Sequence, residues 1–268
     1  MNWRHEKQQY DEDGFVVVRQ FLPEGELTEL RDQLDRYVRE IVPTLPDQEA
    51  FYEDRTRPET LKQLQRLGRD PFFREYMQRS RWSDLAGALV GEAVTADQPE
   101  WFNKPPGTNH VTPPHQDNYY FCLTPPHVVT IWLALDPVDT ENGCLRYVAG
   151  SHRRGYRVHA RSRILGFSQG ITDYSPEDFT REVAVRLQPG DAVAHHGMTI
   201  HRADANLSTQ RQRRSFALVF RGVSCVRDEA AFARYQAAAR EQHRELGLRD
   251  AAGDHPLATS AGRNGATA

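Results

Sequence analysis

The stretch Pro114-His115-Gln116-Asp117-Asn118-Tyr119-Tyr120-Phe121 holds a histidine and a carboxylate two residues apart, directly after a proline-rich run. On an extended strand, residues i and i+2 share a face, so His115 and Asp117 are expected to project together with Gln116 turned away. An imidazole nitrogen and a carboxylate oxygen on one face are two of the three donors of the facial triad that holds non-haem Fe(II). A third donor must come from far along the chain. The segment after the Pro189-Gly190-Asp191 turn offers His195, His196 and His201. His195 and His196 read as strand histidines hydrogen-bonded near a core. His196 still rivals His201, since both lie near the end of one apolar stretch.

Downstream, a basic cluster with Arg211, Arg213 and Arg214 enters the apolar run Ser215-Phe216-Ala217-Leu218-Val219-Phe220. Arg213 and Ser215 share a strand face, where a guanidinium fork and a hydroxyl together can clamp a carboxylate. Arg211 and Arg214 compete for that part. Beyond the His-Gln-Asp motif, strand alternation predicts Tyr119 and Phe121 on the metal side, as candidate substrate contacts, and Asn118 and Tyr120 away from it. Lys104, with Arg146, Arg153 and Arg154, is a candidate for an acidic substrate group. His152 reads as a turn residue, and His110 and His127 as loop or surface histidines.

These residues must be carried by a scaffold. The chain has 268 residues, which suits one domain with accessory helices. The pattern is helices first, then short β-rich segments bounded by Gly, Pro, Asn and Asp, then one helix; this is an α+β class with the chemistry on the β half. The periodicity of Leu27, Leu30, Leu34, Tyr37, Val38 and Ile41 predicts a packing helix. Residues 43–60 read as a loop, 61–79 as helical with a break near Gly68 to Pro71, and 82–90 as a short helix. Strands are expected near 98–104, 116–122, 128–135, 144–148, 183–187, 191–196 and 214–223. Residues 153–182 read as a long insertion, mostly loop, and a late helix is expected from about Asp228 to Leu246. One domain over 1–250 is expected, with its β core at about 95–225 and a Gly/Ala/Ser/Thr-rich tail, 251–268, expected to be disordered.

The net charge of −3 gives no electrostatic footprint for nucleic acid or an anionic membrane. No apolar run is long enough to span a bilayer and no signal-peptide core is present, so a cytoplasmic location is the default. Three widely spaced cysteines, Cys122, Cys144 and Cys225, argue against a disulfide framework and a thiolate zinc site.

His115-Gln116-Asp117, Asn142-Gly143-Cys144-Leu145, Gly150-Ser151-His152, Gly190-Asp191, His201 and Arg213, in this order, resemble the phytanoyl-CoA dioxygenase-like family of Fe(II)/2-oxoglutarate oxygenases. Gly14-Phe15-Val16-Val17 and Asn103-Lys104-Pro105-Pro106 resemble it too, and the likeness covers roughly residues 10 to 225. The resemblance implies a double-stranded β-helix, a cupin-like jelly roll. It implies His115, Asp117 and His201 as iron ligands, and Arg213, with Ser215 beside it, as partner of the 2-oxoglutarate distal carboxylate. It further implies Trp132 near the cosubstrate and Lys62 reaching the same pocket. The activity implied is hydroxylation of a small molecule, consuming O2 and converting 2-oxoglutarate to succinate and CO2. Ala203 stands where relatives often carry a serine, and the His201 to Arg213 interval is about one residue longer than usual. Two other readings fit the metal-binding residues: a cupin-like sensor or structural protein, and a non-redox isomerase or hydrolase using the metal as a Lewis acid.

Overall fold

The computed structural model describes residues 2–47, 49–108, 110–164 and 167–245. The tail 251–268 lies outside the described residues. Two antiparallel sheets dominate. The larger has eight strands in the order Phe15–Val18, Ala192–His196, Val128–Ala134, Ser215–Gly222, Glu100–Phe102, Leu61–Leu64 and Ala50–Tyr52, with Val94–Ala96 alongside Ser215–Gly222. The smaller runs Glu182–Ala184, Leu145–Val148, His201–Ala203 and Thr112–His115.

Period-two alternation assigns the side chains of the large sheet to two cores. Val129, Ile131 and Leu133 join Ala192, Ala194, Phe216, Leu218 and Phe220 against the helices. Their sequence neighbours Trp132, Ala134, Val193 and Ala217 face the small sheet and pack with Tyr147, Leu145 and Ala203. Both faces are therefore dry, and every residue of Val128–Ala134 is buried. The helix Glu24–Arg36 buries Leu27, Leu30 and Leu34 on one stripe, with Glu24 and Glu26 in its first turn and Arg36 in its last, each suited to the helix dipole. Each leucine so buried contributes roughly 1.5–3 kcal/mol.

Several expectations are overturned. Arg4–Asp13, for which no element is expected, is a helix closed by Gly14 at φ 83°, where a Cβ would collide with Thr199 and His152. Leu61–Leu64 is a strand and not a helix; its apolar spacing fits either, and pairing with Glu100–Phe102 decides. Ala50–Tyr52, inside the expected loop, pairs beside it. Within 153–182 the described residues include the paired antiparallel strands His159–Ile164 and Phe167–Ile171 and the helix Pro176–Thr180, where mostly loop is expected. The C-terminal helix Glu229–Glu245 packs on that strand pair, and buried Gln242 donates to the carbonyls of Ser162, Ile164 and Phe167.

The largest correction falls on the motif itself. The strand Thr112–His115 stops at the histidine, and Asn118–Phe121 is a helical turn, not the expected strand 116–122. Asp117 already has helical angles, φ −57° and ψ −39°. Asn118 fixes the turn: its backbone N–H donates to Gly197 O at 2.8 Å and its side-chain amide to Leu123 O at 2.9 Å.

Candidate metal centre

His115 and His201 are register partners across the antiparallel strands Thr112–His115 and His201–Ala203. Each ring is anchored through Nδ1 to the carbonyl two residues before it, Pro113 O at 2.8 Å and Thr199 O at 3.0 Å. That contact fixes the tautomer and leaves Nε2 as the donor. Both Nε2 atoms converge on Asp117 Oδ1, at 3.3 Å from His115 and 3.5 Å from His201. The ligand atoms of His115, Asp117 and His201 all lie within 4.8 Å of one another. Gln116 is turned away, as expected, with its amide donating to Gly155 O and Met198 O.

The other oxygen of Asp117 is already engaged. Oδ2 accepts from Thr130 Oγ1 at 2.7 Å and lies 3.0 Å from His195 Nε2, whose Nδ1 lies 3.0 Å from the Tyr147 hydroxyl. Burial alone would raise the Asp117 carboxyl, but His201, His115 and His195 outweigh it and hold the group well below the usual carboxylate range. Burial and then His115 push His201 down, which keeps its imidazole neutral. The arrangement is a buried two-nitrogen, one-oxygen donor set with a braced carboxylate. His196, the rival donor, points to the opposite face, where its ring lies near Tyr10 and His152.

The donor set opens into a cavity of about 190 Å³. One end is basic. Lys62 and Lys104 line it, both with pKa values lowered by burial, and Lys104 Nζ donates to His110 O at 2.9 Å. His110, read as a loop or surface histidine, is in a loop but lines this wall, and burial with the nearby cations pushes it down to about 3.

Arg213 is 4 % exposed, its Nε has no hydrogen-bond partner, and its guanidinium lies over the Trp132 ring at 5.2 Å. Burial lowers it to about 10. Among the described residues no carboxylate pairs with it. The competing arginines are occupied: Arg211 grips Asp139 at 2.8 and 2.9 Å, and Arg214 grips Asp136 at 2.9 and 3.0 Å. The Trp132 face contributes about 2 kcal/mol at such a dry site, whereas a buried charge without a counterion costs several. Ser215 is buried, its hydroxyl 3.5 Å from Phe102 O, and it does not line the cavity.

The aromatic expectation needs exchanging. A helical turn rotates about 100° per residue rather than 180°, so Tyr120 faces the cavity and Tyr119 does not. The Tyr120 ring lies 5.6 Å from His115, while Tyr119 stacks on His159 at 3.9 Å. Phe121 lines the cavity as expected, with Phe167 and Tyr235 from segments not considered for it. Arg146 is engaged by Asp204 at 2.7 Å, and Arg153 and Arg154 are exposed outside the cavity.

A family model described as phytanoyl-CoA dioxygenase (PhyH) matches residues 10–215. Human "Phytanoyl-CoA dioxygenase, peroxisomal" is 26 % identical over 230 residues, covering 81 % of this chain and 67 % of that protein. The solved structure of EvdO2 from Micromonospora carbonacea var. aurantiaca complexed with 2-oxoglutarate is 27 % identical, with TM-score 0.67 over 85 % of this chain and 93 % of that one. The epimerase SnoN, in complex with Fe3+, alpha ketoglutarate and nogalamycin RO, is 23 % identical, with TM-score 0.69 over 86 % and 88 % of the two chains.

Proposed function

The chain belongs to the phytanoyl-CoA dioxygenase family of Fe(II)/2-oxoglutarate-dependent oxygenases, and from that premise we propose that it hydroxylates a small-molecule substrate. The observation that carries the cosubstrate is Arg213: a buried guanidinium without a counterion among the described residues, in the same cavity as His115, Asp117 and His201. The two antiparallel sheets are read as a double-stranded β-helix, one domain ending near residue 250.

The donor chemistry fits Fe(II), since two imidazole nitrogens and one carboxylate leave coordination positions for other ligands. When bound there, iron with 2-oxoglutarate and O2 supplies oxidative decarboxylation to succinate and CO2 and oxidation of a substrate C–H bond. The protein's part is positional. Pro113 O and Thr199 O hold the two rings, and Thr130 and His195 hold Asp117 so that one oxygen is presented. Arg213, its guanidinium held over the Trp132 face, would bind the distal carboxylate of 2-oxoglutarate, with Lys104 and Lys62 at the same end. The rings of Phe121, Phe167 and Tyr120 exclude water from the substrate side.

Among the described residues no helix is long and apolar enough to cross a membrane. A cytoplasmic location is kept as part of the proposal, against a human relative whose name is peroxisomal. A second reading, inversion of a stereocentre, is favoured by the likeness to SnoN, named an epimerase.

The test is anaerobic titration with Fe(II) and 2-oxoglutarate, then succinate release on admitting air. Binding of both with formation of succinate is expected. Failure of 2-oxoglutarate to bind the Fe(II)-loaded protein would overturn the reading. Product analysis with a turned-over substrate separates hydroxylation from inversion.

A further inference from the structure

The cavity has a second pole. Glu100, on the strand Glu100–Phe102, lines it opposite Ala217 in the sheet register. Arg213 lies four residues before Ala217, which separates the two poles by about 13 Å along an extended chain. Among the described residues the Glu100 carboxylate has no ion pair, and it accepts from Gln63 Nε2 at a long 3.4 Å. Burial pushes its carboxyl up to about 7 despite that bond. Aromatic rings line the same cavity. The Tyr235 ring lies 5.5 Å from Tyr120, Tyr120 lies 5.6 Å from His115, and His115 lies 5.2 Å from Phe167.

We propose that Glu100 and the rings of Tyr120 and Tyr235 bind a cationic nitrogen of the substrate, an ammonium or quaternary ammonium group. This rests on the oxygenase reading above and names the substrate class for it. A carboxylate set into a cavity without a counterion is stabilised by a cation that arrives with the ligand. Ring faces attract the same cation, most strongly where water is excluded. The two poles then sort the two ligands: the dicarboxylate is repelled from Glu100, and the cation from Arg213, Lys104 and Lys62. A cation held at Glu100 leaves its carbon skeleton lying along Tyr120 toward the His–Asp–His cluster.

The probes are choline and its uncharged carbon isostere, 3,3-dimethylbutan-1-ol, titrated into Fe(II)- and 2-oxoglutarate-loaded protein without O2 and followed by ligand-observed NMR. Choline should bind roughly tenfold more tightly than the alcohol. Glu100→Gln should erase that preference while its 2-oxoglutarate affinity stays that of the parent. Tyr235→Leu should reduce the preference about threefold and serves as the second variant should Glu100→Gln misfold by circular dichroism. Equal binding of the two probes, no binding of choline, or a preference that survives Glu100→Gln overturns the cation site. Loss of 2-oxoglutarate binding in the parent protein sinks the oxygenase reading instead, so the two failures are told apart.

Discussion

The strand Ala192–His196 sends His195 to the cavity and His196 to the helices, and the segment entering Ser215–Gly222 does the same with Arg213 and Arg214. On the helix face each group has its protein partner. Arg214 is clasped by Asp136 and lies 3.5 Å from Asp35, and His196 Nδ1 accepts from Met198 N. On the cavity face His195 is held between Asp117 and the Tyr147 hydroxyl and braces the donor set, whereas Arg213 has no carboxylate partner among the described residues. Strand parity thus sends one of each adjacent pair to the helices, as packing, and the other to the cavity, as brace or ligand-facing group.

The largest expected effect that could break this division is at the carboxylate. Asp117→Ala should abolish Fe(II) binding and lower activity by at least about a thousandfold, read by anaerobic titration and succinate release. Next come the two arginines. Arg213→Ala should weaken 2-oxoglutarate binding by roughly a hundredfold, since it removes a bidentate, charge-assisted contact. Arg214→Ala should leave that affinity within about twofold and instead cost about 1 kcal/mol of stability. The reverse pattern would make Arg214 the clamp.

A smaller effect is expected at the histidine that braces Asp117. His195→Gln should weaken Fe(II) binding by about ten- to a hundredfold without removing a ligand. The smallest concerns His196, which burial pushes down to about 4 from its ordinary 6.5. The unfolded chain therefore binds the extra proton first, so this residue's contribution to stability is present above pH 6.5 and is lost as pH falls toward 4. His196→Asn should make the fall in melting temperature over that window shallower and leave Fe(II) affinity unchanged; an unaltered slope would remove His196 from the groups that stabilise the helix face.

Much of this was readable in advance because local chemistry and parity agree. His115, Asp117, His201 and Arg213 converge on one cavity, and the packing stripe Leu27, Leu30, Leu34 and Tyr37 is buried as the periodicity predicts. The failures have a shared cause. Asn118-Tyr119-Tyr120-Phe121 has strand-like composition, but its backbone is anchored by the Gly197 carbonyl, which no local window contains. Leu61–Leu64 becomes a strand through Glu100–Phe102, and the polar strand pair His159–Ile164 with Phe167–Ile171 is held by Gln242 on the last helix. Glu100 and Tyr235 carry no motif; only the fold brings them to the cavity.

The register pairing of His115 with His201 reaches further than geometry. Their spacing is that of an antiparallel ladder, roughly 5 Å between Cα atoms, and is maintained by backbone hydrogen bonding and buried apolar contacts on both sides. The chain therefore completes its binding site as an ordinary step of folding, unlike small domains whose fold depends on capturing a metal. The practical result is exchangeability. A chelator should yield an intact empty protein, and Co(II) or Mn(II) should enter it afterwards without a refolding cycle, giving spectroscopic access to the site with its chemistry switched off.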